Sequence, residues 1–292
     1  MQKTGIILIA GRPNTGKSTL LNRIVGSRVA IVSPKPQTTR SRIVGVTTRG
    51  ETQLVFLDTP GLHKAQSKLA DRMVKTIMDS AASADMALLL CEPDKLPGPP
   101  EKILAERFRA AGMRAICVIN KADAVQKSVL LPTIAAYSAL YDFEEIIPIS
   151  ARTGDGVEEL IAMLEARAPE AEHIYEDDDM TDQSERTLAA EYLREQFLRH
   201  LDREVPHGIA VVTERFEERE DGVIEVDLTV YCEKRTHKGI IIGSHGETLK
   251  AAGANARRNL EELLGAQVYM QIWVRVKEDW RNNDYLLASF GF

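Results

Sequence analysis

The chain has 292 residues, enough for two domains at the usual size of about 100–200 residues each. With 44% hydrophobic and 27% charged residues it has the composition of a globular protein, which excludes a collagen-like, mucin-like or wholly disordered chain. Lys and Arg number 37 against 43 Asp and Glu, a net charge of −6, so a histone-like coat for nucleic acid is excluded and only a local basic face remains open. The three cysteines, Cys91, Cys117 and Cys232, lie far apart in apolar runs without C-x-x-C spacing, and buried thiols in a reducing compartment are expected. No stretch approaches the ~20 apolar residues that span a bilayer. The apolar start at Ile6-Ile7-Leu8-Ile9 stops at Gly11-Arg12-Pro13, too short for a signal peptide, and a cytoplasmic protein is expected.

Short apolar runs at 5–10, 53–57, 86–91, 115–119 and 146–149 alternate with longer amphipathic segments. Continuous apolar strands separated by helices predict a doubly wound, mostly parallel sheet covered on both faces, an α/β domain over residues 1–168. The first run leads into Gly11-Arg12-Pro13-Asn14-Thr15-Gly16-Lys17-Ser18, which fits G-x-x-x-x-G-K-[ST] between a strand and a helix. The glycines let the backbone curl so that successive N–H groups point at phosphate oxygens, and the helix N-terminus adds partial positive charge. Lys17 is expected on the β- and γ-phosphates and the Ser18 hydroxyl on Mg²⁺. In Pro36-Gln37-Thr38-Thr39-Arg40 two hydroxyls sit where one can complete the Mg²⁺ shell, and Thr39 is favoured over Thr38.

Asp58-Thr59-Pro60-Gly61 closes the second run. Asp58 can hold Mg²⁺ through a water, and the Gly61 N–H can bond the γ-phosphate, so the segment after Gly61 loses an anchor when that phosphate leaves. Asn120-Lys121-Ala122-Asp123 ends the fourth run and decides the base. The Asp123 carboxylate can accept from guanine N1–H and the exocyclic amine, whereas adenine would leave it unpaired, a loss of roughly 1–3 kcal/mol or more. Asn120 would tie this loop to the phosphate loop and face guanine N7, and the Lys121 stem can lie over the base. Ser150-Ala151, after the last run, suits a backbone N–H contact to guanine O6.

These five elements resemble the Ras-like GTPases of the translation-factor superclass. The resemblance implies GTP and GDP as ligands with Mg²⁺, and Lys17, Thr39, Gly61 and Asn14 as the residues serving hydrolysis. One departure is Leu62, which stands where Ras-type enzymes carry the glutamine that positions the attacking water. Intrinsic hydrolysis is therefore expected to be slow, on the order of 10⁻⁴ to 10⁻² s⁻¹. Asn14 is a candidate ligand for a K⁺ ion that would supply positive charge beside the phosphates, the alternative being that Asn14 merely suits the loop conformation.

Residues 169–183 carry Glu170, Glu172, Glu176, Asp177, Asp178, Asp179 and Asp182 and read as a solvated acidic linker. Residues 184–292 form a separate α+β domain by pattern. A helix is expected over 184–203, followed by two alternating strands that meet at Asp221-Gly222. Ile224, Val226, Leu228, Val230 and Cys232 share one face of the second strand, and Glu225, Asp227, Thr229 and Tyr231 take the other. Leu249, Gly253, Ala256, Leu260 and Leu263 mark a helix, and Val268, Met270, Ile272, Val274 and Val276 a third strand. Trp273, Arg275 and Lys277 share the polar face of that strand and either contact nucleic acid or pack against neighbouring helices, with packing favoured for Trp273 and surface contact for Lys277.

Before that helix stands Gly243-Ser244-His245-Gly246. The order helix, strand, strand, helix pair, strand around this G-x-x-G makes the domain resemble a type II KH domain, whose loop clamps about four single-stranded nucleotides against an apolar groove. Between residues 234 and 258 Lys234, Arg235, Lys238, Lys250, Arg257 and Arg258 face a single acid, Glu247. Phosphate contact is assigned to the loop backbone with Lys238 and Lys250, to Arg257 and Arg258, and to His245 when protonated.

A GTPase module followed by a type II KH domain resembles the Era family of bacterial GTPases over nearly the whole chain, including Glu204-Val205-Pro206-His207-Gly208 at the start of the second domain. Thr15 replaces the usual valine, a change of similar volume. The resemblance implies a monomer that binds the single-stranded 3′ end of small-subunit ribosomal RNA and assists assembly of the small ribosomal subunit. It also implies partial, peripheral association with the cytoplasmic face of the membrane. Two rivals are a GTP-driven RNA-modifying or metabolic enzyme, for which no third domain or nucleophile–base pair speaks, and an RNA-binding protein with an inactive GTPase module, against which the intact motifs speak.

Overall fold

A chain whose strands are apolar on both faces must cover both with helices, and the first half does so. The computed structural model describes residues 1–61 and 67–292, without the side chains at 74, 77–79 and 81, and the chain divides into two units. The first contains β1 (Lys3–Gly11), α1 (Lys17–Val25), β2 (Ile43–Arg49) and β3 (Thr52–Asp58). After α2 (Lys68–Ala82) come β4 (Met86–Cys91), α3 (Pro99–Ala111), β5 (Arg114–Ile119), α4 (Lys127–Ser138), β6 (Glu145–Pro148) and α5 (Val157–Arg167). The sheet order is β2-β3-β1-β4-β5-β6, parallel throughout except for β2. Alternate residues of one strand enter opposite cores. Ile7 and Ile9 pack with Leu20 of α1 and Leu160 of α5, whereas Leu8 and Ala10 pack with Leu104 of α3 and Tyr137 of α4. The order reverses around β1, so the crevice of the sheet opens at the carboxyl ends of the parallel strands. Gly11–Ser18 follows β1, Asp58–Gly61 closes β3, Asn120–Asp123 follows β5 and Ser150-Ala151 follows β6, while Thr38-Thr39 precedes β2.

The expected doubly wound sheet is therefore present, with one strand more than the apolar runs indicate. β2 pairs antiparallel with β3 through a turn at Gly50, φ +60°. Its β-branched sequence Ile43-Val44-Gly45-Val46-Thr47-Thr48 suits a strand, and its lower hydrophobicity hid it. The acidic stretch is exposed as its charge requires, yet it is not a free tether. Residues up to Asp182 belong to the first unit. The Thr4 N–H donates to the Pro169 carbonyl, the Gln53 side chain bonds the backbone of Ile174 and Tyr175, and the Val46 N–H donates to the Met180 carbonyl. The three cysteines are free and buried.

The second unit contains α6 (Glu185–His200), β7 (Ile209–Glu218), β8 (Ile224–Cys232), α7 (Arg235–Ile242), α8 (Glu247–Leu264), β9 (Val268–Val276) and α9 (Asp284–Ser289). It also contains Ile31–Thr38 and residues 67–72. β8 lies centrally, antiparallel to β7 and parallel to β9. Val226, Leu228 and Val230 meet Leu193 and Phe197 of α6 and Ala252, Ala256 and Leu260 of α8 in one core. The opposite face of β8 is buried at one end as well: Thr229 is 1% and Tyr231 8% exposed. The C-terminal segment accounts for Tyr231, because Phe290 stacks on its ring at 4.5 Å beside the buried Trp280. Trp273 is not packed under helices. It stands on the outward face of the edge strand β9 and is 41% exposed, while Lys277 is exposed as expected.

Candidate functional site

Between β1 and α1 the chain must turn through Gly11, φ +150°, and Gly16, φ +96°. A Cβ on Gly16 would run into the Asn120 side chain, so glycine is required for fit as well as for conformation. The turn is held internally. The Arg12 carbonyl accepts from the Thr15 hydroxyl at 3.0 Å and from Lys17 Nζ at 2.9 Å, and the Gly11 carbonyl takes Lys17 Nζ at 3.3 Å. Thr15 is thus more than a volume match for valine: its buried hydroxyl braces the loop. Lys17 is 6% exposed, and burial lowers its pKa while Asp58 pulls it back up. Asn14 adopts φ +66°, a conformation that asparagine tolerates better than most residues. Pro13 lies against Gly61, where a Cβ would come within 2.6 Å of the Pro13 nitrogen, so Gly61 can approach this loop only without a side chain.

Three oxygen donors converge at the mouth of the loop. Ser18 Oγ donates to Asp58 Oδ2 at 2.6 Å, lies 3.1 Å from Thr39 Oγ1, and Thr39 Oγ1 donates to the same carboxylate oxygen at 3.4 Å. Asp58 is fully buried, its Oδ1 has no hydrogen-bond partner, and burial pushes its carboxyl above the usual range. Two hydroxyls and a partly unsatisfied buried carboxylate are the hard oxygen ligands that suit Mg²⁺. Thr38 points elsewhere, its hydroxyl donating to the Lys35 carbonyl at 2.7 Å and to Ser33 at 3.2 Å. Thr59 is buried and braces β1, donating to the Ile9 carbonyl at 3.0 Å. Pro60 follows it, and Leu62 lies outside the described residues.

The base-reading loop is tied to the phosphate loop as the motif implies. Asn120 donates to the Thr15 carbonyl at 2.8 Å and accepts the Ala151 N–H at 2.9 Å. The Ala151 N–H expected on guanine O6 is therefore engaged by Asn120, and the Ser150 N–H by the Asp155 carbonyl, so in this structure both residues brace the loop. Lys121, φ +64°, sends Nζ to the Asn14 carbonyl at 2.7 Å and to Glu92 at 2.5 Å, which lays its stem across the loop mouth. Ala122 opens a short 3-10 turn that carries Asp123. The Ser150 hydroxyl and the Arg152 guanidinium hold the Asp123 carboxyl below its ordinary range. Arg152, 2.5 Å from Asp123, was not signalled by the sequence, because nothing marks a charge 29 residues away as a partner.

The second unit presents the other glycine loop. Gly243, φ +77°, leaves α7, and a Cβ there would lie 2.7 Å from the Thr248 Cβ. Gly246, φ +80°, caps α8 and faces open space, with Ser244 and His245 exposed between them. Lys250, Arg257 and Arg258 are exposed along α8, and Lys238 is half-buried on α7. Arg257 pairs with Glu261 at 3.2 Å, and Arg258 bonds Asn255 at 2.5 Å. The eleven residues from Glu247 to Arg257 cover about 15 Å of helix, so the basic stripe runs well beyond the loop. It reaches an open groove of about 900 Å³ whose lining includes Arg219, Arg257 and Tyr269. Tyr269 and Ile240 are exposed hydrophobic residues that charge counting along the sequence passes over.

Known proteins match both units. A family described as a 50S ribosome-binding GTPase matches residues 6–121, and one described as a KH domain matches 204–281. GTPase Era of Ruminiclostridium cellulolyticum is 44% identical over 99% of this chain and 97% of its own length. GTPase Era of Geotalea uraniireducens is 45% identical over 99% of this chain and 98% of its own. Two solved Era structures superpose with a TM-score of 0.95 at 35% identity. One is a variant from Aquifex aeolicus bound to GDP and AlF4⁻, covering 99% of both chains. The other is Era with MgGDPNP and nucleotides 1506–1542 of 16S ribosomal RNA, covering 100% of this chain and 99% of that one. Likeness of this extent, carried through both modules at full length, makes the chain a member of the Era family of GTPases.

Proposed function

We propose that this GTPase binds the single-stranded 3′ end of small-subunit ribosomal RNA through the module at 204–281 and assists maturation of the small ribosomal subunit. The observation that carries the reading is the Gly243–Gly246 loop, whose first glycine has no room for a side chain and whose surroundings hold a cluster of exposed cations in an otherwise acidic chain. The Era relative solved with nucleotides 1506–1542 of 16S ribosomal RNA supports the choice of RNA. The 50S description belongs to a match over 6–121, which does not contain this loop.

Lys17, Ser18, Thr39 and Asp58 are the residues we assign to Mg·GTP, Ser18 and Thr39 directly and Asp58 through water. When bound there, Mg²⁺ would neutralise charge on the phosphate oxygens. Lys17 adds positive charge to the same oxygens, the Gly61 N–H bonds the γ-phosphate, and Asp123 selects guanine. Asn14 is assigned to a K⁺ ion beside the phosphates, in place of the charge an arginine finger brings to other GTPases. Exchange of potassium for sodium should then slow hydrolysis severalfold, and an unchanged rate discards that ligand.

Coupling between the sites is expected through consecutive residues. The Thr38 carbonyl accepts from the buried Arg194 of α6, and the next hydroxyl, Thr39, belongs to the Asp58 cluster. GTP loading would favour RNA binding, hydrolysis would release the precursor, and by linkage RNA would tighten GTP binding by the same factor. The reading includes a monomer working in the cytoplasm and, in part, peripherally at the membrane. Among the described residues no helix is long and apolar enough to cross a bilayer. Crosslinking and sequencing of RNA bound in cells, with the Gly243→Asp, Gly246→Asp variant alongside, tests the reading. Reads concentrated at the small-subunit 3′ end and lost in the variant are expected. Reads spread over messenger or transfer RNA would overturn the assigned task.

A further inference from the structure

Among the described residues, three carboxylates are sealed from water: Asp58 at 0%, Glu195 at 0% and Glu101 at 1% exposure. Burying a carboxylate is costly unless opposite charge and hydrogen bonds meet it. Asp58 belongs to the nucleotide cluster. Glu195 accepts the Val32 N–H at 2.9 Å and pairs with Arg199 at 3.0 Å, which fastens the segment that runs into Thr38 and Thr39. Glu101 sits in the first turn of α3, outside every motif. Its partner is the side chain of Arg12, 89 residues earlier and inside the phosphate loop. Arg12 Nη2 lies 2.5 Å from Glu101 Oε2 and Nε lies 2.5 Å from Oε1. The Gly98 N–H donates to Oε2 at 2.9 Å, and the Arg12 guanidinium lies so close over this turn that a Cβ on Gly98 would run into its Nη2.

We propose that Glu101 is a positioning residue of the nucleotide site: through Arg12 it fixes the peptide around which the phosphate loop curls. That peptide is the one whose carbonyl holds both Thr15 Oγ1 and Lys17 Nζ. A rigid Arg12 therefore sets where the Lys17 ammonium and the neighbouring N–H groups stand before a phosphate arrives, and preorganisation of this kind raises affinity by removing the cost of ordering. The same connection between β4 and α3 begins with Glu92, which holds Lys121 of the base-reading loop. One segment thus fixes both nucleotide loops, Glu101 on the phosphate side and Glu92 on the base side. A bland alternative is that Glu101 only caps α3. Glu101→Gln separates the two, because its amide oxygen can still accept the Gly98 N–H while the charge on Arg12 goes unmatched.

The inference rests on the GTPase reading of the Gly11–Ser18 loop and is tested on the full-length protein with fluorescent GTP and GDP analogues, single-turnover hydrolysis and thermal melting. Glu101→Gln should weaken both nucleotides by roughly ten- to a hundredfold, the effect that partners behind a ligating group usually have. Discrimination of GTP against ATP should stay intact, because Asp123 and Lys121 are untouched. Arg12→Met strands the buried Glu101 carboxylate and should lower both melting temperature and affinity. Adding Glu101→Gln to Arg12→Met should restore much of the melting temperature and none of the nucleotide affinity. Affinity that follows melting through the set, or a Glu101→Gln protein that binds and hydrolyses GTP like wild type, would overturn the proposal. A wild-type protein that fails to bind GTP would strike the GTPase reading itself.

Discussion

The two glycine loops, Gly11–Ser18 and Gly243–Gly246, are proposed to meet the same chemical group, a phosphate, and are built in opposite ways. Behind the first stand buried charges: Lys17 at 6% exposure, Asp58 at 0% and the Glu101 carboxylate at 1%. Around the second the cations Lys250, Arg257 and Arg258 are exposed, and what backs the loop is a threonine, Thr248. The difference follows from the ligands. A nucleoside triphosphate with its metal is one compact object, and a fixed, dry site concentrates field on it. Single-stranded RNA is a long flexible polyanion, which a shallow groove and mobile surface charges can follow.

The largest effect expected is on the buried side. Lys17→Ala should lower hydrolysis by roughly 10²–10³, as loss of one preorganised donor to developing charge does elsewhere. RNA affinity measured without nucleotide should stay at the wild-type level. A variant that loses both together would show that the two loops are not separate devices. Next comes the neighbouring pair of threonines. Thr39→Ala removes a hydroxyl 3.1 Å from Ser18 and should raise the Mg²⁺ concentration needed for hydrolysis by about tenfold or more. Thr38→Ala loses bonds to Lys35 and Ser33 and should leave that requirement nearly unchanged. Equal shifts in a Mg²⁺ titration of the two variants would remove Thr39 from the metal shell.

Much of the buried site was legible because it is contiguous. Gly11–Ser18 and Asn120–Asp123 are short stretches at strand ends, and the chemistry of each follows from neighbours in sequence. What stayed hidden was whatever depends on distant partners. Glu101 reads as an ordinary first-turn acid until Arg12 comes to meet it, and Arg152 as a loop cation until Asp123 does. Arg194 and Glu195 stand side by side in a helix and read as solvated charges; both are buried because the backbone of Ile31–Thr38 runs over them. β2 was missed for a local reason, since Thr47 and Thr48 dilute an otherwise strand-like run. In the second unit the pattern of β8 identified its core face, whereas the burial of Tyr231 was not readable because its cover comes from Phe290 at the far end of the chain.

The comparison sharpens inside the second loop, where the two glycines are required for different reasons. At Gly243 both conformation and space forbid a side chain, whereas at Gly246 only the left-handed φ does. Gly246→Ala should cost about 1 kcal/mol of conformational strain and weaken RNA binding a fewfold. Gly243→Ala must also displace Thr248 at the start of α8 and should weaken RNA binding by tenfold or more. Binding of a short single-stranded RNA, with nucleotide affinity as the internal control, distinguishes them. A reversed order would mean that the loop rearranges when RNA arrives.

The smallest single effect carries the cleanest physical signature, its dependence on salt. If Lys238, Lys250, Arg257 and Arg258 each neutralise one phosphate, the logarithm of RNA affinity should fall with the logarithm of salt concentration with a slope of about −3, at roughly −0.7 per contact for a single strand. Between 50 and 200 mM salt that is a loss of about fiftyfold. Lys250→Gln should reduce affinity only severalfold at moderate salt and make the slope shallower by about 0.7. The nucleotide site should respond far less, because Lys17 and Asp58 are buried and ions screen them poorly. Arg257 already shares its charge with Glu261 and should contribute less than Lys250, an ordering that single substitutions can read from the slopes. A slope unchanged by Lys250→Gln would take the start of α8 out of the RNA path and leave phosphate contact to Lys238, Arg257, Arg258 and the loop backbone, whose neutral N–H groups displace no counterion from the RNA.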